Sequence, residues 1–426
     1  MNLFFFALVA LAFGVSAVRE WGWVSAAAGD SPMQVLTNGM VEAANGSVTL
    51  SLGMVGVMAL FLGLMKVAEE GGLLTVLARL IRPLMVRLFP DVPPDHPAMG
   101  AMILNLSANA LGLGNAATPF GIRAMKELER LNPFPGTATN AMALFLAINT
   151  SSVTLVPTSV IALRASVGSS DPAAILSTTL FATFFSTSVA ILAAKGLQRF
   201  WRIAPVSDGG EHTAAALPEE GVTVGAGYPL WVSILALVGL IVLIPVTILY
   251  GRTISPWVLP ALMTGMLAFG VVRGVRVYEV FVEGAREGFE VGVRIIPYLV
   301  AILVAVGMFK ASGALGYFTA LVGPWTAAVG LPADALTMAI LRPLSGSGAQ
   351  GYLASLLQNP AIGPDGYIGM LTSTLQGSSE TTFYILAVYY GAIRIRRIRH
   401  TLAAALLGDL SGVVAAVFIC SWLYAP

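Results

Sequence analysis

The chain has 426 residues, of which 57% are hydrophobic and only 11% are charged, and its formal net charge is +1. This composition excludes an ordinary soluble protein of this size and indicates a polytopic membrane protein that contacts the lipid bilayer. The small net charge and the lack of a long basic block predict no nucleic-acid partner.

The sequence carries no signature of catalysis or of metal binding. Its single cysteine, Cys420, excludes an internal disulfide, and the three histidines show no metal-ligand spacing. No Gly-Lys-Ser/Thr loop is present to cradle phosphates. We therefore predict that the protein is not an enzyme and needs no metal and no cofactor.

Apolar spans in the first half lie at residues 3–18, 48–65, 138–162 and 174–194. The first should be a retained helix, because no Lys or Arg precedes it as in a signal peptide. Residues 31–46 are predicted to form an amphipathic or loop segment. Residues 71–89, with three arginines among leucines, are predicted to form an interfacial helix.

Residues 203–228 are polar and acidic and contain Gly and Pro, so we predict a linker there between domains 1–202 and 229–426. Apolar spans in the second half lie at 230–250, 257–272, 295–309, 368–390 and 401–422. Two further apolar segments, 313–330 and 333–357, lie between them.

Two of the spans are interrupted by polar residues near their middle. The first break contains Asn149, Thr150, Ser151, Ser152 and Thr154, and the second contains Gln376, Gly377, Ser378, Ser379, Glu380 and Thr381. When the two are aligned, Val153 stands opposite Glu380. Polar groups are costly against lipid, so both breaks should face the protein interior or a water-filled cavity.

Shared features in one order predict that the two halves are repeats. The arginines at 79–87 and the basic group at 123–130 should both be cytoplasmic, so residues 97–120 enter and leave on that side. By the same rule, the segment around 345–348 enters from the outside. We therefore predict an all-α, inverted-repeat core resembling secondary transporters, with about nine spanning helices and two re-entrant hairpins. It should lie in the inner membrane, with the N-terminus cytoplasmic and the C-terminus outside.

Broken helices leave backbone N–H and C=O groups free at membrane depth, where they can hold a solute. The predicted site for a small polar solute joins the residues of both breaks to the hairpin tips, which contribute Asn105, Ser107, Asn109, Ser345, Gly346 and Ser347. Glu380 is either a solute contact or a site for H⁺ or Na⁺. The alternative is a structural role, as a pair with Arg342 or in an interhelical hydrogen bond. Asp409 is a second candidate for the coupling ion, although a structural pairing is favoured for it.

Long motifs in both halves resemble known proteins. Residues 105–121 (NLSANALGLGNAATPFG) and 149–157 (NTSSVTLVP) resemble spore maturation protein A, while 342–348 (RPLSGSG) and 376–384 (QGSSETTFY) resemble spore maturation protein B. The chain is thus identified as similar to a fusion of the two, in the nucleoside-recognition or gate domain family. This resemblance implies an integral membrane protein with a role in spore maturation, and it makes a nucleoside-like solute an expectation.

Two functions follow as hypotheses. The first is a secondary transporter of a small polar solute, and the second is a non-transporting membrane scaffold or regulator of envelope or spore maturation. The sequence leaves open whether the protein is a homo-oligomer.

Overall fold

The computed structural model describes residues 2–23, 29–112, 114–151, 154–201, 227–294 and 296–424. These residues form helices and no β-strand. The first half contains α1 (Asn2–Trp21), α2 (Pro32–Glu70), α3 (Leu73–Leu88), α4 (Pro97–Ala110), α5 (Gly114–Arg130), α6 (Asn140–Ser151), α7 (Thr158–Ser166) and α8 (Ile175–Leu197). Most of the predicted linker, 203–226, lies outside the described residues, so the domain bounds stay a prediction.

The second half contains α9 (Leu230–Val272), α10 (Val277–Arg294), α11 (Ile296–Ala311), α12 (Ala314–Ala327), α13 (Ala333–Leu344), α14 (Gly346–Gln358), α15 (Tyr367–Gly377), α16 (Thr382–Ala392) and α17 (Thr401–Tyr424). Helices α2, α8, α17, the pair α10–α11 and the first part of α9 are long and apolar enough to cross a membrane. With α1, the second part of α9 and the broken pairs α6–α7 and α15–α16, the described residues provide nine crossings. The protein is a multi-pass membrane protein.

The basic clusters of the sequence come together at one end of the helix bundle, here called the basic end. Lys195 donates to the carbonyl of Leu88 at 3.1 Å. The N–H groups of Arg396 and Arg397 both donate to the carbonyl of Gly136. The basic end therefore joins the C-terminal ends of α3, α5 and α8 to the loop before α17.

The other end of the bundle, here called the far end, is built from the loops 167–174 and 359–366 and from the end of α17. Arg164, near the end of α7, forms an ion pair of 3.0 Å with Asp365 of the second loop. The Tyr367 hydroxyl hydrogen bonds with Ser421 at 2.8 Å. The two ends are separated by the length of the spanning helices.

Both predicted hairpins are confirmed, and they enter from opposite ends. Helix α4 begins beside Asp95, which pairs with Arg82 at 2.8 Å, and α5 ends at Arg130, so α4–α5 has both its ends at the basic end. Helix α13 follows Gly330, whose carbonyl accepts from Tyr367, and α14 leads into the loop 359–366. The hairpin α13–α14 therefore has both its ends at the far end.

Helix α2 and the pair α10–α11 occupy corresponding places in the two repeats and run antiparallel. Gly284 of α10 lies against Lys66 and Gly288 lies against Ala59, while Ala311 of α11 lies against Gly39. Residue numbers on α2 thus fall as those on its partner rise. Glycines at these crossings let the two backbones approach closely, as in other membrane helix pairs.

The last helix of each repeat follows the same rule. Ser186 of α8 donates to the carbonyl of Gly408 of α17 at 2.8 Å, and Tyr424 donates to the carbonyl of Ala174 at 3.2 Å. Because α8 and α17 are also antiparallel, the two repeats are related by inversion.

A further correspondence links α3 and α12. Each follows a glycine in the left-handed region, Gly72 (φ 84°) and Gly313 (φ 83°). Each also contains a proline eleven residues later, Pro83 and Pro324. The predicted interfacial helix 71–89 therefore has a counterpart in the second repeat that its more apolar sequence conceals.

Two element boundaries differ from the sequence predictions. The predicted amphipathic or loop segment 31–46 is instead continuous with the next span in α2, which begins with a capping box between Ser31 and Gln34. The two predicted spans 230–250 and 257–272 form one helix, α9, with prolines at 245, 256 and 260.

Helix α9 is nevertheless not straight. Tyr228 donates its N–H to the carbonyl of Arg79, and Arg273 donates to the carbonyl of Gly71. These anchors hold the ends of α9 within about 30 Å of each other, whereas a straight helix of 43 residues would extend about 64 Å. The helix therefore folds back at its prolines, and the two halves cross separately.

Candidate functional site

The two broken helices cross at their breaks. The N–H of Glu380, between α15 and α16, donates to the carbonyl of Thr150, near the end of α6, at 2.8 Å. Leu155, in the first break, donates its N–H to the carbonyl of Ala110 at the tip of α4–α5. Backbone groups freed by one interruption are thus partly satisfied by the other repeat and by a hairpin, as irregular backbone at membrane depth requires.

Threonines of α8 hydrogen bond to the last backbone carbonyl of α6. The carbonyl of Ser151 accepts hydrogen bonds of 3.1 Å from the hydroxyls of both Thr183 and Thr187. The sequence prediction missed these two residues, because hydroxyls within an apolar helix also fit simple helix packing.

The side chains of the first break are mostly turned inward. The hydroxyls of Thr150 and Ser151 donate to the carbonyl of Ala147 at 3.0 and 2.9 Å. Asn149 donates to the carbonyl of Phe145 and accepts a 3.0 Å hydrogen bond from Asn109 of α4. These three side chains therefore hold the break together, and Ser152 lies outside the described residues.

A cavity of about 310 Å³ lies where the breaks and the hairpin tips meet. Its wall contains seven of the predicted site residues: Asn109, Thr154, Gly346, Gln376, Gly377, Ser379 and Glu380. The Oε1 atom of Gln376 is buried and has no hydrogen-bond partner among the described residues. Gln376 therefore combines a place in the cavity wall with a buried acceptor that no described residue satisfies.

The cavity wall also contains residues that the sequence prediction did not include. Gln350 of α14 and Thr158 and Ser159 of α7 add polar groups, while Met58 and Val291 contribute to an apolar side. Gln350 follows Gly346 by four residues on the same helix, and this helical spacing could have identified it. The apolar residues resemble any other core position in the sequence.

Four predicted site residues at the hairpin tips stay outside the cavity wall. Asn105 donates to the carbonyl of Ala117 at 2.8 Å and to the Tyr389 hydroxyl at 3.2 Å, and Ser107 is fully buried. Ser345 caps α14 by accepting from the N–H of Gly348, and Ser347 is exposed. Asn105 and Ser345 have evident structural contacts, since one joins α4–α5 to α16 and the other begins a helix.

Arg342, at the tip of α13–α14, connects that hairpin to the second break. Its guanidinium donates to the carbonyl of Ser379 and to the Thr381 hydroxyl, the latter at 3.0 Å, and lies 3.7 Å from the Glu380 carboxylate. Both the pairing of Glu380 with Arg342 and its exposure to the cavity are therefore present, and the cavity wall carries one charge of each sign.

A second, much smaller cavity lies behind Ser379. It has a volume of about 10 Å³, and its wall includes Arg342, Ser378 and Asp409. Asp409 accepts a 2.6 Å hydrogen bond from the Thr382 hydroxyl. Asp409 thus lies away from the solute cavity but shares Arg342 with it.

Comparisons with known proteins show which family the chain resembles. Residues 51–198 match the Gate family, described as nucleoside recognition. Spore maturation protein B of Bacillus subtilis is 43% identical over 166 residues, which cover 39% of this chain and 92% of that protein. Spore maturation protein A of the same organism is 46% identical over 160 residues, covering 38% of this chain and 82% of that protein.

Among solved structures, CNTnw in an intermediate state has a TM-score of 0.47 with 14% identity, covering 98% of this chain and 91% of that one. The YdaH transporter of Alcanivorax borkumensis has a TM-score of 0.45 with 17% identity, covering 99% and 97%.

The inverted repeats, opposed hairpins and crossed broken helices define a class of all-helical, multi-pass membrane proteins. Within this class, the chain belongs to the family of spore maturation proteins A and B and joins the two kinds of relative in one polypeptide.

Proposed function

We propose that this protein is a secondary transporter that moves a small polar solute across the inner membrane, with the cavity at the crossed breaks as its binding site. The observation that carries the proposal is the position of this cavity. It lies at the meeting point of both broken helices and touches one hairpin from each end of the bundle. A solute held there is equally placed for release to either side.

The lining favours an uncharged or zwitterionic solute. The oppositely charged side chains of Arg342 and Glu380 form an ion pair of 3.7 Å, so a solute ion of either sign would have to disrupt that pair. Asn109, Gln350 and Gln376 offer amide donors and acceptors. In the same wall, Met58 and Val291 suit an apolar face such as the flat side of a nucleobase, which makes a nucleoside-like solute our leading candidate.

Helix α7 adds a further attraction for solute oxygen atoms. Pro157 precedes its first residue and provides no side-chain cap. The N-terminal end of α7 therefore directs a partial positive charge toward the cavity, where Thr158 and Ser159 lie.

Transport requires that each hairpin can separate from its break in turn. The contact of α4–α5 with the first break includes the hydrogen bond from Leu155 to Ala110, and that of α13–α14 with the second depends on Arg342. In this scheme the basic end faces the cytoplasm, the N-terminus is cytoplasmic and the C-terminus is outside. Each hairpin then acts as the gate of its own side.

Thermal stability of the purified protein tests the proposal. We expect one class among nucleosides, nucleobases, amino acids and dicarboxylates to raise the melting temperature, because a ligand at 100 times its Kd stabilises the folded state by about 2.7 kcal/mol. Gln376→Ala should remove the shift, and the matched control Gln358→Ala, at the exposed end of α14, should retain it. Absence of a shift with every class would favour a scaffold or regulator instead.

A further inference from the structure

Three charged residues lie close together in the second repeat only. Arg342 of α13, Glu380 of the second break and Asp409 of α17 surround the two adjoining cavities. In the first repeat the aligned break has Val153 in place of Glu380. The breaks of both repeats are polar, so solute binding alone does not explain why one repeat is charged.

Arg342 makes its polar side-chain contacts with residues of the second break. Its side chain is buried, and its two terminal nitrogens donate to Ser379 and Thr381 while it pairs with Glu380. The Glu380 side chain is 40% exposed toward the cavity. The negative charge of Glu380 is therefore stabilised both by the guanidinium of Arg342 and by exposure to the cavity.

Asp409 has no direct ion pair among the described residues, although Arg342 borders the same small cavity. It is 8% exposed, and one of its carboxylate oxygens accepts from Thr382. The other, Oδ1, has no partner among the described residues, and neither has Nε of Arg342. Both residues border the small cavity, whose volume of about 10 Å³ has room for about one water molecule.

The charges do not balance at this depth. Two carboxylates share one guanidinium, which leaves one negative charge in a region where an unpaired charge is expensive. The helices around Asp409 offer no second cation. Helix α6 has no ionisable residue, and α15 and α16 contribute only tyrosines. Lys195 of α8 lies at the basic end, bonded to Leu88.

We infer that Asp409 is the proton-binding carboxylate of this protein and that H⁺ is the ion coupled to solute movement. This inference rests on the proposed transport function. A proton from water on one side forms an O–H bond at Oδ1, which makes the side chain a neutral acid. On the other side that bond breaks, and the proton returns to water.

The proton has a short path to the solute cavity. Arg342 and Ser379 belong to the walls of both cavities, so a water molecule in the small cavity lies one residue away from the larger one. When Asp409 is neutral, Glu380 is the only one of the two acids that attracts the guanidinium of Arg342. When Asp409 is ionised, it competes with Glu380 for the same guanidinium. The proton thus changes how firmly Arg342 holds α13–α14 against the second break.

A sodium ion fits this place less well. The cavity has room for about one water-sized particle, and Arg342 already directs a positive charge into it. A bound Na⁺ would lie against that guanidinium and would lack the several oxygen ligands that hard cations need. A proton requires only the free carboxylate oxygen.

Infrared spectroscopy of the purified full chain in nanodiscs tests the proton site without any solute. We expect a carbonyl band of a protonated carboxylic acid that is present at acidic pH and disappears as the pH is raised. Asp409→Asn should remove this band, and Asp409→Glu should shift it but keep its pH response. The control Glu283→Gln, an exposed acid on α10, should leave it unchanged. Persistence of the full band in Asp409→Asn would overturn the assignment.

The coupling is tested in proteoliposomes that contain a pH-sensitive dye. Addition of the solute class selected by thermal stability should change the lumenal pH with the wild-type protein, and Asp409→Asn should lose this change at least tenfold. Solute uptake without any change of pH would reject proton coupling and leave transport intact. Absence of solute uptake would reject the transport function itself, and the infrared result would then stand separately.

Discussion

At the residue scale, the behaviour of the site depends on a few buried polar groups with few alternatives. Arg342 is the clearest case, because it touches a carbonyl, a hydroxyl and a carboxylate within one break. A buried ion pair adds little net stability when complete, but removal of one partner exposes the full cost of burying the other.

We therefore expect unequal effects from the two partners. Arg342→Gln should lower the unfolding free energy by about 3 kcal/mol, since it removes the hairpin contact and the cation between two acids. Glu380→Gln should cost less, because that side chain is partly exposed, and it should mainly weaken solute binding. Thermal unfolding of both variants measures the difference. Equal destabilisation would contradict the central position assigned to Arg342.

A second buried arginine holds the far end together. Arg164 is fully buried and pairs with Asp365, which also accepts from Ser169 and Ser170. Burial alone would raise the pKa of Asp365, but the hydrogen bonds from Ser169 and Ser170 and the charge of Arg164 hold it below its usual value. The contribution of Asp365 is therefore present above its unfolded pKa of about 3.9 and is lost as the pH falls through its folded pKa.

The contribution of this pair to the melting temperature should accordingly not change with pH near neutrality, and the melting temperature should fall on strong acidification. Asp365→Asn should melt lower at neutral pH and should lose part of the acid dependence. Asp95→Asn serves as the control, because Asp95 is 95% exposed in its pair with Arg82. Identical acid profiles for Asp365→Asn and the wild type would refute a structural role of this pair.

At the scale of the elements, close helix packing between repeats depends on glycine. A Cβ atom at Gly288 would lie 2.6 Å from the Cα of Ala59, which is backbone that cannot move aside. We expect Gly288→Leu to cost about 3 kcal/mol or more. Gly53→Leu, on an open and exposed face of α2, should not destabilise the protein, because leucine forms helices better than glycine. Comparable thermal unfolding of the two variants would be evidence against this crossing.

The sequence predicted some elements well and others poorly, for identifiable reasons. The breaks and hairpins were predictable because polar groups such as Asn149 and Glu380 are conspicuous in apolar spans. The two membrane spans of α9 were predicted from the sequence, but their connection in one helix was not. The unbroken α2 and the α3–α12 correspondence were missed, because they depend on packing and on left-handed glycines rather than on hydrophobic periodicity.

The site shows the same division. Seven predicted residues line the cavity, whereas Asn105, Ser345 and the hydroxyls of Thr150 and Ser151 make local structural hydrogen bonds. Residue type cannot separate these cases, since a hydroxyl that bonds its own helix and one that faces a cavity look alike in sequence. Gln350 was missed because it lies one helical turn beyond the hairpin tip.

At the scale of the whole molecule, the arrangement of charge predicts orientation. Arginines of α3, α5 and the loop before α17 share the basic end, which the positive-inside rule assigns to the cytoplasm. In a Cys420→Ser background, Asp95→Cys should react with an impermeant thiol reagent only after the cells are opened. Gln358→Cys, at the end of α14, should react in intact cells. The reverse pattern would invert the proposed orientation.

The central claim is that solute passes through the cavity at the crossed breaks, and flux through proteoliposomes tests it most directly. We expect saturable uptake of the solute class that stabilises the protein, and we expect its loss in Ser159→Trp, which fills the cavity with an indole. Thr49→Trp, on the exposed surface of α2, should transport like the wild type. Undiminished uptake by a folded Ser159→Trp variant, or no uptake by the wild-type protein, would contradict the claim.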